Sequence, residues 1–275
     1  MGNIKNGLNM GALSADFDKR PAEVLRELAR VGYQGFEVTR PLPFPASEFN
    51  ALANELDFKA ISLHTHSPSG DDELKEMIEF VQAVDCTRIM FGGFHPNRLN
   101  SADDYKRQAE AHNNLGEKCG RDGIRAIYHN HHWELKKYGG KCGLDIMLEE
   151  TNPEWVQFEF DVVWLAVGGA DPAEYIRKNA PRCPLIHYKD IKINEGYGRD
   201  GHAPDGIIEA DGFSLKKGSY SFVEKGAGIV DFKAIREAVN PRYVEWLIVE
   251  QDNSELPPIE TAKINFEYYR RLGVM

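Results

Sequence analysis

The sequence predicts a single (β/α)8 TIM barrel over residues 1–275, and three observations lead to this fold class. Eight short apolar segments alternate with segments of helical periodicity. The repeat of about 30 residues is the length of a strand–helix–strand unit. The strand segments are nearly continuously apolar, which is typical of parallel sheets buried on both faces. Parallel strands with helical crossovers form an open sheet or a closed barrel, and eight strands in this length favour the barrel.

Each strand is predicted from a short apolar run and each helix from apolar residues at helical spacing. Asp18 and Pro21 suit the start of the first helix, and Asp171 and Pro172 suit the start of a later one. In chain order, the predicted strands are 4–12, 35–39, 58–64, 88–91, 123–128, 156–162, 184–188 and 243–250. The predicted helices are 17–32, 46–56, 73–84, 102–120, 143–151, 171–178, part of 229–239, and 258–272.

A long loop is predicted after strand seven, at about 193–228. Loops of this length in compact domains are usually functional or disordered, so we expect it to cover the pocket. Arg199, Lys216 and Lys217 in this loop could bind an anion, although exposed lysines are usually only solvated. No GxGxxG or GxxxxGK pattern follows the first strand, which argues against the usual nucleotide-binding open sheets.

Composition and charge argue against some classes of binding partner. The net charge of −10 repels phosphodiester backbones, so nucleic acid is not an expected partner. No apolar run approaches about 20 residues and no signal peptide is visible, so we expect a cytoplasmic protein that does not enter membranes. The four cysteines form no CxxC pair and are interpreted as buried thiols. The sequence is compatible with a homo-oligomer.

The stretch Gln157 to Trp164, QFEFDVVW, carries the first chemical signal. Alternation along a strand places Glu159 and Asp161 on one face of an otherwise apolar segment. Burying two carboxylates is costly without a compensating partner, and a metal ion or a substrate is the natural one. Glu159 lies one layer deeper than Asp161, so we interpret it as a supporting or structural acid.

Three more apolar strands end in residues of the same type. His129 and His131 follow strand five, His187 ends strand seven and Glu250 ends strand eight. In a barrel the carboxyl ends of the strands meet at one mouth, so we predict one divalent ion bound by His129, Asp161, His187 and Glu250. Mixed nitrogen and oxygen ligands suit Mn²⁺, Zn²⁺, Co²⁺ or Fe²⁺ better than Mg²⁺.

The alternatives are plain structural roles. Asp161 could cap a helix, His187 could be a hydrogen-bonded core histidine, and His131 or His132 could replace His129 as the ligand. The remaining residues near strand ends could contact a substrate, and structural roles fit them about equally well. They are His64, His66, Trp133 and Trp164.

Several motifs together resemble the sugar phosphate isomerase/epimerase family of xylose-isomerase-like TIM barrels. The resemblance covers most of the chain and is strongest from residue 124 onward. The motifs are HNH at 129–131, DVVW at 161–164, HYKD at 187–190, GAGIVDF at 226–232 and IVEQD at 248–252.

This resemblance implies one divalent ion held from strands five to eight, with Asp161, His187 and Glu250 as ligands. The sugar epimerases of the family usually carry a glutamate on strand five, where this chain has His129. This chain therefore lacks one of the two glutamates that act on opposite faces of the sugar in those epimerases. His131, Glu134 or Lys189 would have to supply the second acid or base beside Glu250.

The implied activity is isomerisation or epimerisation of a keto sugar or polyol in carbohydrate metabolism, by proton transfer through a metal-bound enediolate. The first alternative is a lyase, an inosose or keto-sugar dehydratase on the same barrel. A non-catalytic sugar-binding barrel and an endonuclease IV-like nuclease are weaker alternatives, and the net charge argues against the nuclease.

Overall fold

The computed structural model describes residues 4–38, 42–197 and 204–273. Eight parallel strands close into a barrel, which confirms the predicted fold class. The strands are β1 Lys5–Asn9, β2 Gly35–Val38, β3 Lys59–Thr65, β4 Arg88–Phe91, β5 Arg125–His129, β6 Val156–Asp161, β7 Leu185–Tyr188 and β8 Trp246–Val249. They follow the chain order around the ring, and β1 closes the barrel against β8.

The helices follow the strands around the outside. Their bounds are α1 Ser14–Lys19, α2 Pro21–Val31, α3 Ala46–Leu56, α4 Asp71–Ala83, α5 Ala102–Gly120, α6 Gly143–Glu150, α7 Val162–Val167, α8 Pro172–Asn179, α9 Phe232–Ala238 and α10 Pro258–Arg271. In the described residues, no helix has the length and apolar character needed to span a bilayer.

The first predicted helix forms two helices in the structure. The helix expected over 17–32 is divided at Arg20, whose backbone lies outside the helical region with φ −146°. Pro21 causes the break, because its ring disfavours a helical conformation in the preceding residue. Asp18 therefore lies inside α1 and does not cap a helix start. The prediction for the later helix is confirmed, since the Asp171 side chain accepts from the Glu174 N–H at the start of α8.

The long segment after β7 is more ordered than predicted. Ile191–Ile193 pairs with Tyr220–Phe222 as an antiparallel ribbon, and Pro204–Ile207 forms a short 3₁₀ helix between them. Arg199 lies outside the described residues, and Lys216 donates to the carbonyl of Gly206 at 2.6 Å. Tyr220 of the ribbon packs 6.4 Å from Trp164, centroid to centroid, and the ring of Phe222 lies 5.5 Å from Lys189 Nζ, so the ribbon contacts residues that follow β6 and β7.

The barrel has a separate apolar layer in its interior. Six inward side chains form this layer: Ile61 on β3, Met90 on β4, Ile127 on β5, Leu185 on β7, and Trp246 and Ile248 on β8. On β3, β5, β7 and β8 a histidine or glutamate follows toward the carboxyl end. Side chains two residues apart on a strand share a face, so His187 and His129 point into the same interior as Leu185 and Ile127. The apolar layer forms the floor beneath these polar groups.

Candidate metal centre

Two groups of metal-ligand side chains meet at His187. The mouth cluster consists of His129, Asp161, His187 and Glu250. The inner cluster consists of Glu37, His64, Glu159 and His187. In each cluster the potential ligand atoms lie within 4.8 Å of one another. The mouth cluster contains the four residues that the sequence predicts as metal ligands.

Strand register brings Asp161 next to His187. The two residues are direct partners across the pairing of β6 with β7. Asp161 also caps α7, because its Oδ1 accepts the backbone N–H of Trp164 at 3.0 Å. Its Oδ2 has no hydrogen-bond donor among the described residues, although the side chain is fully buried. Burial raises the pKa of this carboxyl to about 7, and a bound cation would restore its charge.

Glu250 lies beside both His187 and Lys189. Its Oε2 is 2.9 Å from His187 Nδ1 and 2.8 Å from Lys189 Nζ. Burial alone would raise the pKa of Glu250, but Lys189 and His187 hold it well below the usual range. Burial would lower the pKa of Lys189, but Glu250 and Asp161 raise it above its ordinary value. The pair is therefore a carboxylate in contact with an ammonium group.

His129 completes the mouth cluster from the end of β5. Its Nε2 is 3.0 Å from His187 Nδ1 and 3.7 Å from Asp161 Oδ2. Burial and the neighbouring His187 lower the pKa of His129 well below its usual value, so its ring is neutral. A neutral imidazole, two carboxylates and a second imidazole form a mixed nitrogen and oxygen donor set, which fits a divalent transition metal.

The inner cluster lies deeper in the barrel. Glu37 on β2 contacts His187 Nε2 at 2.5 Å and accepts from Ser62 Oγ at 2.5 Å. Glu159 approaches the same Nε2 at 3.2 Å. His64 belongs to this inner cluster, and its ring centroid lies 5.6 Å from that of His129 in the mouth cluster. His64 is thus close to the mouth cluster, as a substrate contact requires.

A stack of rings stands beside the mouth cluster. His131 lies on Trp133 with centroids 4.1 Å apart and planes 10° apart. Trp164 lies 5.2 Å from Lys189 Nζ, within the range of a cation–π contact. Beneath the stack, the buried Glu134 accepts the backbone N–H of His131 at 2.8 Å. These rings offer flat apolar faces next to the candidate metal ligands.

The structure does not bring His66 into either cluster. His66 lies on the loop that leads to α4, and its ring is mostly exposed. Its Nε2 is 2.8 Å from the carboxylate of Glu73 in the first turn of that helix. His132 also turns away from the cluster, because its Nε2 contacts the carbonyl of Phe213 at 2.9 Å. Of the histidines in the segment 129–132, His129 alone contributes to the mouth cluster.

Glu37 and Asp190 are polar residues that the sequence interpretation did not single out. Glu37 is an acid inside an apolar strand, as Glu159 is, but its strand has no second acid on the same face. Asp190 anchors the GAGIV motif, since its carboxylate accepts from the backbone N–H groups of Gly226, Gly228 and Val230 at 3.0 to 3.2 Å. A Cβ on Gly228 would lie 2.3 Å from Asp190 Oδ1, so the motif needs glycine there.

This fold and this site define a class of protein. Residues 25–272 match the family model described as xylose isomerase-like TIM barrel. The chain belongs to this family.

This chain is similar to known proteins that are named for two different activities. It is 29% identical over 163 residues to the inosose dehydratase of Lacticaseibacillus casei, a match covering 58% of this chain and 52% of the relative. The chain thus spans about half the length of that curated relative. A sugar phosphate isomerase/epimerase from Parabacteroides distasonis superposes with TM-score 0.74 at 20% identity, covering 98% of this chain and 94% of the other.

A further solved structure is the IolI protein with a bound zinc atom. It superposes with TM-score 0.72 at 14% identity and covers 98% of both chains. At these identities the solved structures show a shared fold alone.

Proposed function

We propose that this protein is a divalent-metal-dependent lyase that removes water from a keto-inositol or a related keto sugar. The observation that carries the proposal is the contact between Glu250 Oε2 and Lys189 Nζ, 2.8 Å apart at the edge of the mouth cluster. A base and an acid are thereby placed side by side next to residues that can hold a metal ion.

The mouth cluster would hold the ion through His129, Asp161, His187 and Glu250. Asp161 Oδ2 is a buried carboxylate oxygen that a metal ion would satisfy, because it accepts no hydrogen bond among the described residues and the ammonium of Lys189 is 3.6 Å away. A divalent ion supplies Lewis acidity there, which makes the hydrogen on the carbon next to a substrate carbonyl more acidic. The zinc atom of the IolI structure supports the presence of a divalent ion on this fold.

The two reacting groups have complementary tasks. Glu250 takes the proton from the carbon next to the carbonyl, and Lys189 gives a proton to the hydroxyl on the following carbon. That carbon–oxygen bond breaks, water leaves, and a double bond forms between the two carbons. Glu250 then loses its proton to solvent and Lys189 regains one. Because the two groups touch, they act on the same face of the substrate, as in a syn elimination.

The residue at the end of β5 favours elimination over a two-glutamate epimerisation. Epimerisation needs proton-transfer groups on both faces of the sugar, and this position holds His129, whose ring is directed at His187. The similarity to an inosose dehydratase supports the same choice.

His131 favours a second candidate function, the isomerase or epimerase that the sequence predicts. Its ring lies 5.2 Å from that of His129, centroid to centroid, and next to Trp133. Burial and Lys189 lower the pKa of His131 to about 3, so its ring is neutral, and a role in exchanging a second proton would require the bound substrate to raise that pKa. The similarity in fold to a sugar phosphate isomerase/epimerase is compatible with this alternative.

One assay separates the two functions. Protein loaded with Zn²⁺ or Mn²⁺ is incubated with keto-inositols and keto sugars in deuterated water and followed by absorbance and NMR. We expect the ultraviolet absorbance of a conjugated enone to appear. Deuterium incorporation without new absorbance would support the isomerase or epimerase instead. Neither signal with any of these substrates would contradict both functions.

Substitution of Glu250 tests the proposed base. We expect Glu250→Gln to lower the turnover rate by about 10²–10⁴-fold, the usual contribution of a general base, with little effect on the fold. Asp252→Asn is the matched control, because Asp252 contacts the same Lys189 at 3.2 Å but is half-exposed and outside the mouth cluster. Equal losses of turnover in the two variants would show that activity depends on the negative charge around Lys189 and not on a base at Glu250.

A further inference from the structure

Glu37 is a fully buried acid with no part in the proposed reaction. It lies on β2, a strand between β1 and β3 and three positions around the barrel from β7. Its side chain crosses the interior to reach His187, which follows 150 residues later in the chain. An acid kept inside the barrel at this depth needs a partner, and here the partner is a candidate metal ligand.

The Glu37 carboxylate is fixed by donors from both neighbouring strands. Its Oε1 accepts from Ser62 Oγ on β3 at 2.5 Å. Its Oε2 accepts from Asn9 Nδ2 on β1 at 3.3 Å and lies 2.5 Å from His187 Nε2. The carboxylate therefore has no freedom to leave the histidine without breaking these contacts.

The other ring nitrogen of His187 faces the mouth cluster. Nδ1 lies 2.9 Å from Glu250 Oε2 and 3.0 Å from His129 Nε2. An imidazole that binds a metal ion through one nitrogen keeps one N–H, so an N–H that donates from Nε2 leaves Nδ1 as the nitrogen that binds the ion. The carboxylate on one side of the ring thus decides which nitrogen can bind a metal ion on the other side.

We infer that Glu37 is a positioning residue that, in the metal-loaded protein, keeps the proton of His187 on Nε2 and leaves Nδ1 to bind the ion at the mouth cluster. The inference rests on the proposed metal site. Glu37 acts through His187 and touches neither the metal ion nor the substrate. Metal-bound histidines usually have such a partner, and its loss costs about 10–100-fold in metal affinity.

Glu159 is the competing partner of the same nitrogen. Its Oε1 lies 3.2 Å from His187 Nε2, but neither of its oxygens has a hydrogen-bond partner among the described residues. Glu37 is closer and has two further donors, so it is the acceptor for the Nε2–H. Glu159→Gln is therefore a matched control for Glu37→Gln: both changes replace a buried acid of the inner cluster with its amide.

The first experiment identifies the ligating nitrogen without measuring activity. Protein labelled with ¹⁵N-histidine is loaded with ¹¹³Cd²⁺, and His187 is assigned by comparison with His187→Gln. We expect ¹¹³Cd coupling to Nδ1 and a proton on Nε2. Coupling to Nε2 would overturn the inference, because the ion would then lie in the inner cluster. A wild-type protein that binds no divalent ion would overturn the proposed function as well.

The second experiment measures Zn²⁺ affinity by competition with a chromophoric chelator. We expect Glu37→Gln to weaken binding by about 10–100-fold, and Glu159→Gln to weaken it much less. Ser62→Ala removes a donor to Glu37, so we expect a smaller loss in the same direction, and this variant carries the test if Glu37→Gln does not fold. Wild-type affinity in the folded variants, with Zn²⁺ still bound by the native protein, would contradict the role of Glu37 alone and leave the proposed function standing.

Discussion

The mouth cluster and the inner cluster contain the same kinds of side chain, share His187 and differ in how their charges are satisfied. In the inner cluster, burial would raise the pKa of Glu37, but His187 lowers it to about 2. Burial and the charge of Glu37 raise the pKa of Glu159 to about 8, so that acid is neutral at pH 7. Both clusters hold acid oxygens that accept no hydrogen bond among the described residues, but in the mouth cluster the acid is Asp161, whose pKa of about 7 leaves it partly ionised at pH 7.

This difference separates a supporting site from a binding site. The inner cluster balances its charges internally, because one acid is ionised against His187 and the other keeps its proton. The mouth cluster places its ligand atoms at the strand ends, where Lys189 balances part of their negative charge and a metal ion would balance the rest. Similar residues can therefore have different roles when they differ in their depth in the barrel and in the neutral groups that donate hydrogen bonds to them.

Substitution of Asp161 is expected to have the largest effect on metal binding. Asp161→Asn removes the charge of the oxygen that has no donor but keeps an oxygen that can cap α7. We expect Zn²⁺ affinity to fall by more than about 100-fold, beyond the loss from an outer partner such as Glu37. The measurement is chelator competition. An unchanged affinity would remove Asp161 from the metal centre and make the two clusters equivalent.

Removal of Lys189 should separate metal binding from chemistry. We expect Lys189→Met to lower the turnover rate by about 10²–10⁴-fold, because the leaving hydroxyl loses its acid. Zn²⁺ affinity should not fall, since a competing cation has been removed from Glu250 and Asp161. Lys192→Met, on the exposed side of the neighbouring ribbon, is the control. Full activity in Lys189→Met would exclude it as the acid.

Glu134 extends the comparison to a buried acid outside both clusters. Burial raises its pKa to about 7, although Tyr128 and the His131 N–H donate to it. The native state then holds a proton that the unfolded state releases at lower pH, so stability falls as pH rises through 5 to 7. We expect Glu134→Gln to lack this fall, which is on the order of 3 kcal/mol. Urea unfolding at pH 5 and pH 8 measures it, and parallel losses in both proteins would contradict the assignment.

Glu159→Gln should have the smallest effect. The amide has the shape of the acid and, like the protonated acid, carries no charge. We expect the free energy of unfolding at pH 7 to change by less than about 1 kcal/mol, whereas Glu37→Gln should cost about 1–3 kcal/mol by weakening charged hydrogen bonds. Chemical denaturation of both variants checks this. A larger loss for Glu159→Gln would show that Glu159 is ionised in the native protein.

The fold could be predicted closely because hydrophobic periodicity determines it. The eight strands and most helices appear near their predicted positions. Helix α7 was missed because VVWLAV is as apolar as a strand, and only the Asp161 cap shows where the strand ends. The ribbon after β7 was missed because its short strands lie within a segment rich in Gly, Asp and Lys.

The mouth cluster could be predicted because all four of its residues end barrel strands. Glu37 was overlooked since its strand has only four residues and shows no second acid on the same face. The contact of Glu250 with Lys189 and the choice of nitrogen in His187 depend on side-chain geometry across the barrel, which spacing along the chain does not contain. His66 ends a strand segment as well, but its ring turns outward to Glu73.

Anomalous diffraction from crystals of the Zn²⁺-loaded protein, collected at the zinc absorption edge, tests the central claim most directly. We predict one strong peak at ligand distance, about 2.0–2.2 Å, from His187 Nδ1, Asp161 Oδ2 and Glu250 Oε2. A peak bound instead to His187 Nε2 between Glu37 and Glu159, or no peak near His187, would contradict it.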